Sequence, residues 1–413
     1  MKRISSLALI GFLMLMLAGC WDKLELEEQA FVVVLGLDKA PDNLVSVTFQ
    51  IANPQVGSSD KGAAENEPPS DIITITAPDV LSAKELANSI ITRTISFAHL
   101  RTVIISQEFA EHSSFHHIIG ASVRDPEMRR EIHMLVSKEK AAQFIHKNKS
   151  KLETRPHKYY QFMQERWRDT GFVPNSTLNR YFQRIGEDTL YLAIYATTSH
   201  QKDKVNQGED EDDYRAGEIP AKSGDPAQIM GSAIFRSGTM RGILTGEETR
   251  LALLLRRKEI SDFITSTPDP LNDRYRVTVR LFKKGNTRIK MNLRQDPIAI
   301  EATIPMRVQV LSIPSLVDYR SNTHNQRILQ EALMERLQSR SEKLVTKLQQ
   351  VYHGEPFLWH LHARRKFWTL QQYERYDWPK HYRNARVRIV YELEIQSFGK
   401  QASTPNIYYR SEE

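Results

Sequence analysis

Three patterns in the sequence predict an α+β fold of successive mixed α/β domains, each a mixed or antiparallel sheet covered by helices. Val- and Ile-rich apolar runs at 31–37 and 103–105 have the continuity of strands buried on both faces. Strict alternation of apolar and polar residues at 45–51 and 387–395 has the period of strands with one wet face. Between such segments apolar residues recur at helical spacing, most extensively over 322–351. Strands interleaved with helices make sheets that helices cover.

In chain order, Lys2 and Arg3 precede an apolar run, 7–17, broken only by Gly11. A cationic start followed by an apolar stretch well short of the ~20 residues of a membrane span describes a secretory signal, so residues 1–19 are expected to be removed. Leu17-Ala18-Gly19-Cys20 matches the bacterial lipobox, in which the cysteine thiol receives a diacylglyceryl group and becomes the mature N-terminus. The bland alternative is a free or buried cysteine that follows a signal. Two acyl chains hold where one binds only marginally, each buried CH₂ contributing about 0.8 kcal/mol. Residues 20–29 then serve as a tether, carrying Glu25, Glu27 and Glu28.

The N-terminal domain is expected over 30–198. The strand at 31–37 and the alternating Val45, Val47, Phe49 and Ile51 suit a hairpin across a turn at 38–43. A Pro-, Gly- and acid-rich loop at 53–71 follows, then a strand at 72–76 and a helix that Asp79 can cap. Helices at 115–123 and 138–147 flank an alternating segment at 131–136. Farther on, 159–167 and 176–185 read as helices, the latter capped by Ser176, and 190–197 as a strand. This last part either closes the first domain or forms a second subdomain from about residue 151.

Residues 199–226 contain the acidic run Gly208-Glu209-Asp210-Glu211-Asp212-Asp213 with Gly217, Pro220 and Gly224, and read as a flexible linker. A calcium loop would need spaced oxygen ligands around a pivot glycine, which the run lacks. The C-terminal domain is expected over 227–398, with 399–413 a polar tail. It opens with strands at 229–235 and 240–244, and Thr245 with Glu248 forms a capping box for the next helix. Strands at 275–282 and 288–293 flank hairpin punctuation at 283–287, and 299–310 adds another strand. The stripe of Leu329, Leu333, Leu337, Leu344, Leu348 and Val351 fits a long helix packed across a sheet better than a coiled coil, whose heptads are broken near Ser341.

The chain of 413 residues is long enough for two or three cores at roughly 150 residues each, and 40% hydrophobic with 26% charged residues describes a globular chain. With a single cysteine no disulfide can form within it. No Gly-rich phosphate loop, nucleophile elbow, zinc-protease helix or paired-cysteine metal site occurs, and no cofactor or catalytic residue is expected. His353, His360 and His362 could serve as metal ligands, but they lie in a stretch where aromatic residues alternate with cations and packing is the plainer role. That stretch, 352–382, would suggest nucleic acid in a cytoplasmic protein; export removes that reading. Two readings stay open: a partly buried helix whose tryptophans are core, or a face in which Arg364, Arg365, Lys366, Trp368 and Trp378 meet anionic lipid or a membrane partner. Charged Arg124-Asp125-Pro126-Glu127-Met128-Arg129-Arg130 reads as a local ion-pair and capping site.

The chain resembles a family, the Ger(x)C lipoproteins, C subunits of nutrient germinant receptors in spores of Bacillus and its relatives. The resemblance runs through Gly19-Cys20-Trp21-Asp22, Leu24-Glu25-Leu26, Gly36-Leu37-Asp38, Phe97 and His99, and the run 124–129. It continues in Gly231-Ser232-Ala233-Ile234-Phe235 and Gly242-Ile243-Leu244-Thr245-Gly246-Glu247-Glu248-Thr249-Arg250. Glu27 stands where the family usually has Asn, and Val351-Tyr352-His353-Gly354 replaces its Asp and Phe-Gly pattern. The resemblance implies a non-enzymatic, lipid-anchored subunit needed for germination. It would sit on the outer face of the spore's inner membrane, beside integral A-type and B-type subunits. A solute-binding lipoprotein of a transporter shares the anchor and is the alternative from another class; an exported hydrolase is a third.

Overall fold

The computed structural model describes residues 25–53, 68–166, 169–200, 212–259 and 262–399; Cys20 and the signal lie outside them. The first apolar run becomes β1 (Gln29–Lys39), which turns through Asp42 and Asn43 into antiparallel β2 (Val45–Ala52). Antiparallel β3 (Ser70–Ala77) follows, then α1 (Val80–Asn88), whose first turn is capped by the Asp79 carboxylate accepting from the Ser82 N–H at 2.7 Å. β4 (Thr94–Ser96) and β5 (Thr102–Ser106) lie parallel to β1. Next come α2 (Gln107–Glu111), α3 (Ser114–Ser122), β6 (His133–Ser137), α4 (Ala141–Lys147), α5 (Pro156–Glu165), α6 (Leu178–Ile185) and β7 (Tyr191–Thr197). The cap of α6 is Thr177, not Ser176. Ser176 is instead buried, and its hydroxyl donates to the Met134 carbonyl at 2.7 Å.

β5, β6 and β7 run parallel in sequence, and such strands need helices on both faces. One face is covered by α1, α3 and α6 around Phe109, Phe115 and Tyr181, the other by α4 and α5 around Phe144, Tyr159 and Tyr160. The segment after residue 151 contributes α5 to this second face and β7 to the edge of β6. Gly36 permits this packing, because a Cβ there would lie 2.8 Å from the Ile145 side chain. Two residues on, the buried Asp38 carboxylate accepts from the N–H groups of Ala141 and Ala142 at 2.7 and 3.0 Å, which caps α4.

The sheet continues past the acidic run. β8 (Gln228–Arg236) and β9 (Thr239–Leu244) add antiparallel to β7, so the first sheet has nine strands among the described residues, ordered β3-β2-β1-β5-β6-β7-β8-β9 with β4 on β1. The described part of the supposed linker is packed as well: Asp212 and Ala216 are buried, and Gln228 Oε1 accepts from the Gly217 N–H at 2.7 Å. Residues 201–211 lie outside the described set.

α7 (Gly246–Leu255) carries the expected capping box and is buried nearly all round, joining the two halves. Its Arg250 donates to Asp212 Oδ2 at 2.8 Å and to the Thr170 carbonyl at 2.7 Å, with its guanidinium 3.7 Å from the Phe172 ring centre. The second sheet holds β10 (Asp262–Pro268), β11 (Arg276–Lys283), β12 (Arg288–Asn292), β13 (Ala299–Ser312) and β14 (Arg386–Ser397). The expected β11–β12 hairpin does not form. β13 is long enough that both strands pair with it instead, β12 along 299–303 and β11 along 306–312. Parallel β14 takes its other edge, a pairing that needs a crossover. α8 (Thr323–Lys347) supplies it, capped by Asn322, with a π turn at Leu348–Tyr352 and then α9 (His360–Arg364), α10 (Leu370–Tyr376) and α11 (Trp378–Arg383).

Candidate functional site

The basic, aromatic segment after α8 is built around a buried acid. Glu355 is 0% exposed, and its carboxylate accepts from the N–H groups of Phe357 at 2.5 Å and His360 at 2.9 Å. Its carbonyl accepts from the Leu190 N–H at 2.9 Å and the Thr189 hydroxyl at 2.6 Å, which ties this segment to the start of β7. His360 lies between Glu355 Oε1 at 3.2 Å and Glu187 Oε2 at 3.3 Å. Burial alone would lower its pKa, but the two carboxylates outweigh burial and raise it to about 9, so the ring is a buried cation at neutral pH. His353 Nδ1 bonds the Gln349 carbonyl at 2.9 Å. Among the described residues no three His, Cys, Asp or Glu side chains are grouped as metal ligands.

The aromatic residues divide sharply. Trp359 is fully buried, with its indole N–H donating to the Leu255 carbonyl at 3.2 Å. Trp378 is also 0% exposed and stacks on Tyr382 at 5.6 Å, so it cannot belong to a surface contact as the sequence reading allows. The left-handed turn at Asp377, whose carboxylate caps α11, directs Trp378 inward. Trp368 is the opposite case, 97% exposed at the head of α10. A capping box of Thr369 and Gln372 fixes this turn, and Gln372 Oε1 also accepts from the Trp368 N–H at 3.1 Å. Arg364, Arg365 and Lys366 are exposed just before it, and Leu370 just after is 49% exposed. The result is an apolar tip on a cationic shoulder. No described helix is long and apolar enough to cross a membrane.

The residues that carry the family resemblance are structural joints. Gly36 and Asp38 seat α4; Glu127 accepts from the Phe97 N–H at 2.8 Å and from Lys84 at 2.9 Å. Burial would raise the Glu127 pKa, yet those bonds hold it below the ordinary value. Glu248 of the capping box also pairs with Lys347 of α8 at 2.6 Å. Glu247, beside it, is pushed up to about 7 by burial and by Asp212, with Arg340 opposing. Sequence reasoning missed the hub roles of Glu187 and Asp38, whose partners His360 and Ala141 lie far away in the chain, and that of Glu355, whose carboxylate acts locally but whose carbonyl reaches back to Thr189 and Leu190.

Comparison with known proteins covers both halves. The family described as "Spore germination protein N-terminal domain" matches residues 22–197, and "Spore germination B3/ GerAC like, C-terminal" matches residues 230–399. Spore germination protein KC of Bacillus subtilis (strain 168) is 29% identical over 143 residues, 33% of this chain and 35% of that protein. Putative spore germination protein YfkR of the same strain is 24% identical over 398 residues, 93% of this chain and 94% of its own. The crystal structure of the GerBC protein superposes with a TM-score of 0.52 at 15% identity, over 87% of this chain and 96% of that one, and shares the fold. With both domain families matched in order across most of its length, the chain belongs to the Ger(x)C family of spore germination proteins.

Proposed function

We propose that the chain is the lipid-anchored, non-catalytic C-type subunit of a spore nutrient germinant receptor. It is held through a diacylated Cys20 on the outer face of the spore's inner membrane, beside integral A-type and B-type subunits. The ordered match of both family domains supports this reading most strongly, and the relatives named as germination proteins give the transporter alternative no support. The anchor rests on Leu17-Ala18-Gly19-Cys20 after a cationic, apolar start. Trp368 with Arg364, Arg365 and Lys366 is a second, weaker contact with anionic headgroups, since an interfacial ring flanked by cations suits that boundary. The test is Cys20→Ala in a sporulating strain fed labelled fatty acid. The variant is expected to carry no label, to leave the membrane fraction and to slow nutrient germination; a labelled, membrane-bound variant would refute the anchor.

A further inference from the structure

One edge strand of the first sheet lacks the features that keep exposed edges from pairing. β3 pairs with β2 over 8 residues without a register shift, and its other side meets no strand among the described residues. Edges are normally blunted by charges, prolines, bulges or cover. On β9, Tyr352 packs against Gly242, and β10 ends in Pro268. β12 carries Arg288 and Lys290, and β14 carries Arg386, Arg388, Glu392 and Glu394. β3 has a single charge, Asp71, near its start, followed by Ile72, Ile73, Thr74, Ile75 and Thr76. The Asn53 N–H donates to the Pro69 carbonyl at 3.0 Å, so odd-numbered residues turn their backbone groups to β2 and even-numbered ones turn theirs outward. The Asp71 carboxylate accepts from the Ile72 N–H at 2.8 Å, which leaves Thr74 and Thr76 as the open part of the edge.

The helix beside this edge adds an apolar surface. Lys84 of α1 reaches toward the middle of the sheet, to Glu127 at 2.9 Å and Asp125 at 3.4 Å. Leu86, about 200° round the helix from Lys84, therefore faces out past β3. It is 50% exposed, and Ile90, just past the helix end, is 67% exposed. Ile73 and Ile75 of β3 lie on this same face of the sheet. A second copy of the chain complements all of these features at once. In an antiparallel match centred on Thr74, Thr74 meets its own counterpart, Ile73 meets Ile75, and Asp71 meets Ala77, so apolar pairs with apolar and no like charges oppose. The two-fold axis then stands normal to the sheet and brings Leu86 and Ile90 of both copies together on one face. We propose that β3 and α1 form a two-fold interface between two copies of this chain, joining their first sheets into one. The interface stands independently of the membrane anchor and of the receptor reading.

Analytical ultracentrifugation of the full chain in a density-matched detergent tests the interface. A species of twice the chain mass is expected to form as concentration rises to about 100 μM. Leu86→Lys and Ile90→Lys change exposed side chains, so both should melt as wild type does, and each should weaken association by about tenfold or more. Cross-linking tests the register. Cys20 is the only cysteine, so Thr74→Cys adds one thiol at the axis. Hydrogen-bonded antiparallel partners have Cα atoms about 5.5 Å apart, within disulfide reach. Mild oxidation of membranes that hold this variant should give a reducible dimer of the chain, while Glu331→Cys, exposed on α8, should stay monomeric. A monomer at every concentration, association that both lysine variants leave unchanged, equal cross-linking through Glu331→Cys, or a Thr74→Cys adduct with a different polypeptide each overturns the proposal.

Discussion

The two sheets bury their strands in different ways. In the first, every residue of β5 and of β7 is buried, and helices cover both faces. In the second, β11 alternates buried and half-buried residues, while the outer face carries Arg288 with Glu392 at 2.5 Å and Arg388 with Glu301 at 3.7 Å. Connectivity explains the difference. Parallel strands are joined by crossovers that lay helices over both faces, whereas the mostly antiparallel second sheet needs cover on one face only. Solvated pairs such as these contribute about 0–1 kcal/mol each. The stability of the second half therefore rests on its inner face and on its seam with the first.

That seam is where the comparison is most easily broken. Glu355→Ala leaves the His360 ring buried opposite Glu187 alone and frees two backbone donors, and is expected to cost about 3–5 kcal/mol in equilibrium unfolding. The pH dependence has a fixed sign. The folded pKa of about 9 lies above the 6.5 of an ordinary histidine, so this contribution is complete below pH 6.5 and is lost as pH rises through 9. Unfolding measured from pH 6 to 10 should show wild type losing on the order of 3 kcal/mol more than His360→Gln. Parallel curves would mean that the ring is not a buried cation.

Adjacent strand positions test the two modes of burial directly. Ile104 faces the α4–α5 side and Ile105 the opposite side, and both are 0% exposed. Ile104→Ala and Ile105→Ala should each cost about 2–5 kcal/mol. On β13 the same loss is expected for Ile304→Ala, whereas Gln309→Ala on the outer face should stay within about 0.5 kcal/mol. A large loss at Gln309 would show that the outer face is not merely solvated.

What the sequence disclosed follows the range of the interactions. The 31–37 strand, the alternation from Val45 to Ile51, the Asp79 cap and the Thr245–Glu248 box all rest on contacts within a few residues, and all appear in place. β10 was hidden because Thr265, Ser266 and Thr267 break its apolar pattern, and β4 because it has only 3 residues. The attachment of β8 to β7 spans the acidic run, a pairing that composition does not disclose. Trp368 and Trp378 occupy the same kind of stretch, and only two local turns, at Thr369 and Asp377, decide which is core.

The smallest effect on stability is expected where the second half is most exposed. Trp368 is 97% accessible, so Trp368→Ala should change the unfolding free energy by no more than about 0.5 kcal/mol, against about 3–5 kcal/mol for Trp378→Ala. Membrane affinity should rank the two the other way. In a Cys20→Ala background, which removes the anchor, sedimentation with vesicles containing phosphatidylglycerol should weaken by about 1–2 kcal/mol for Trp368→Ala. Lys366→Ala should lose about 1 kcal/mol, an effect that salt abolishes. If Trp368→Ala pellets as fully as its parent, the exposed ring is no lipid contact, and the proposed anchor at Cys20 stands alone.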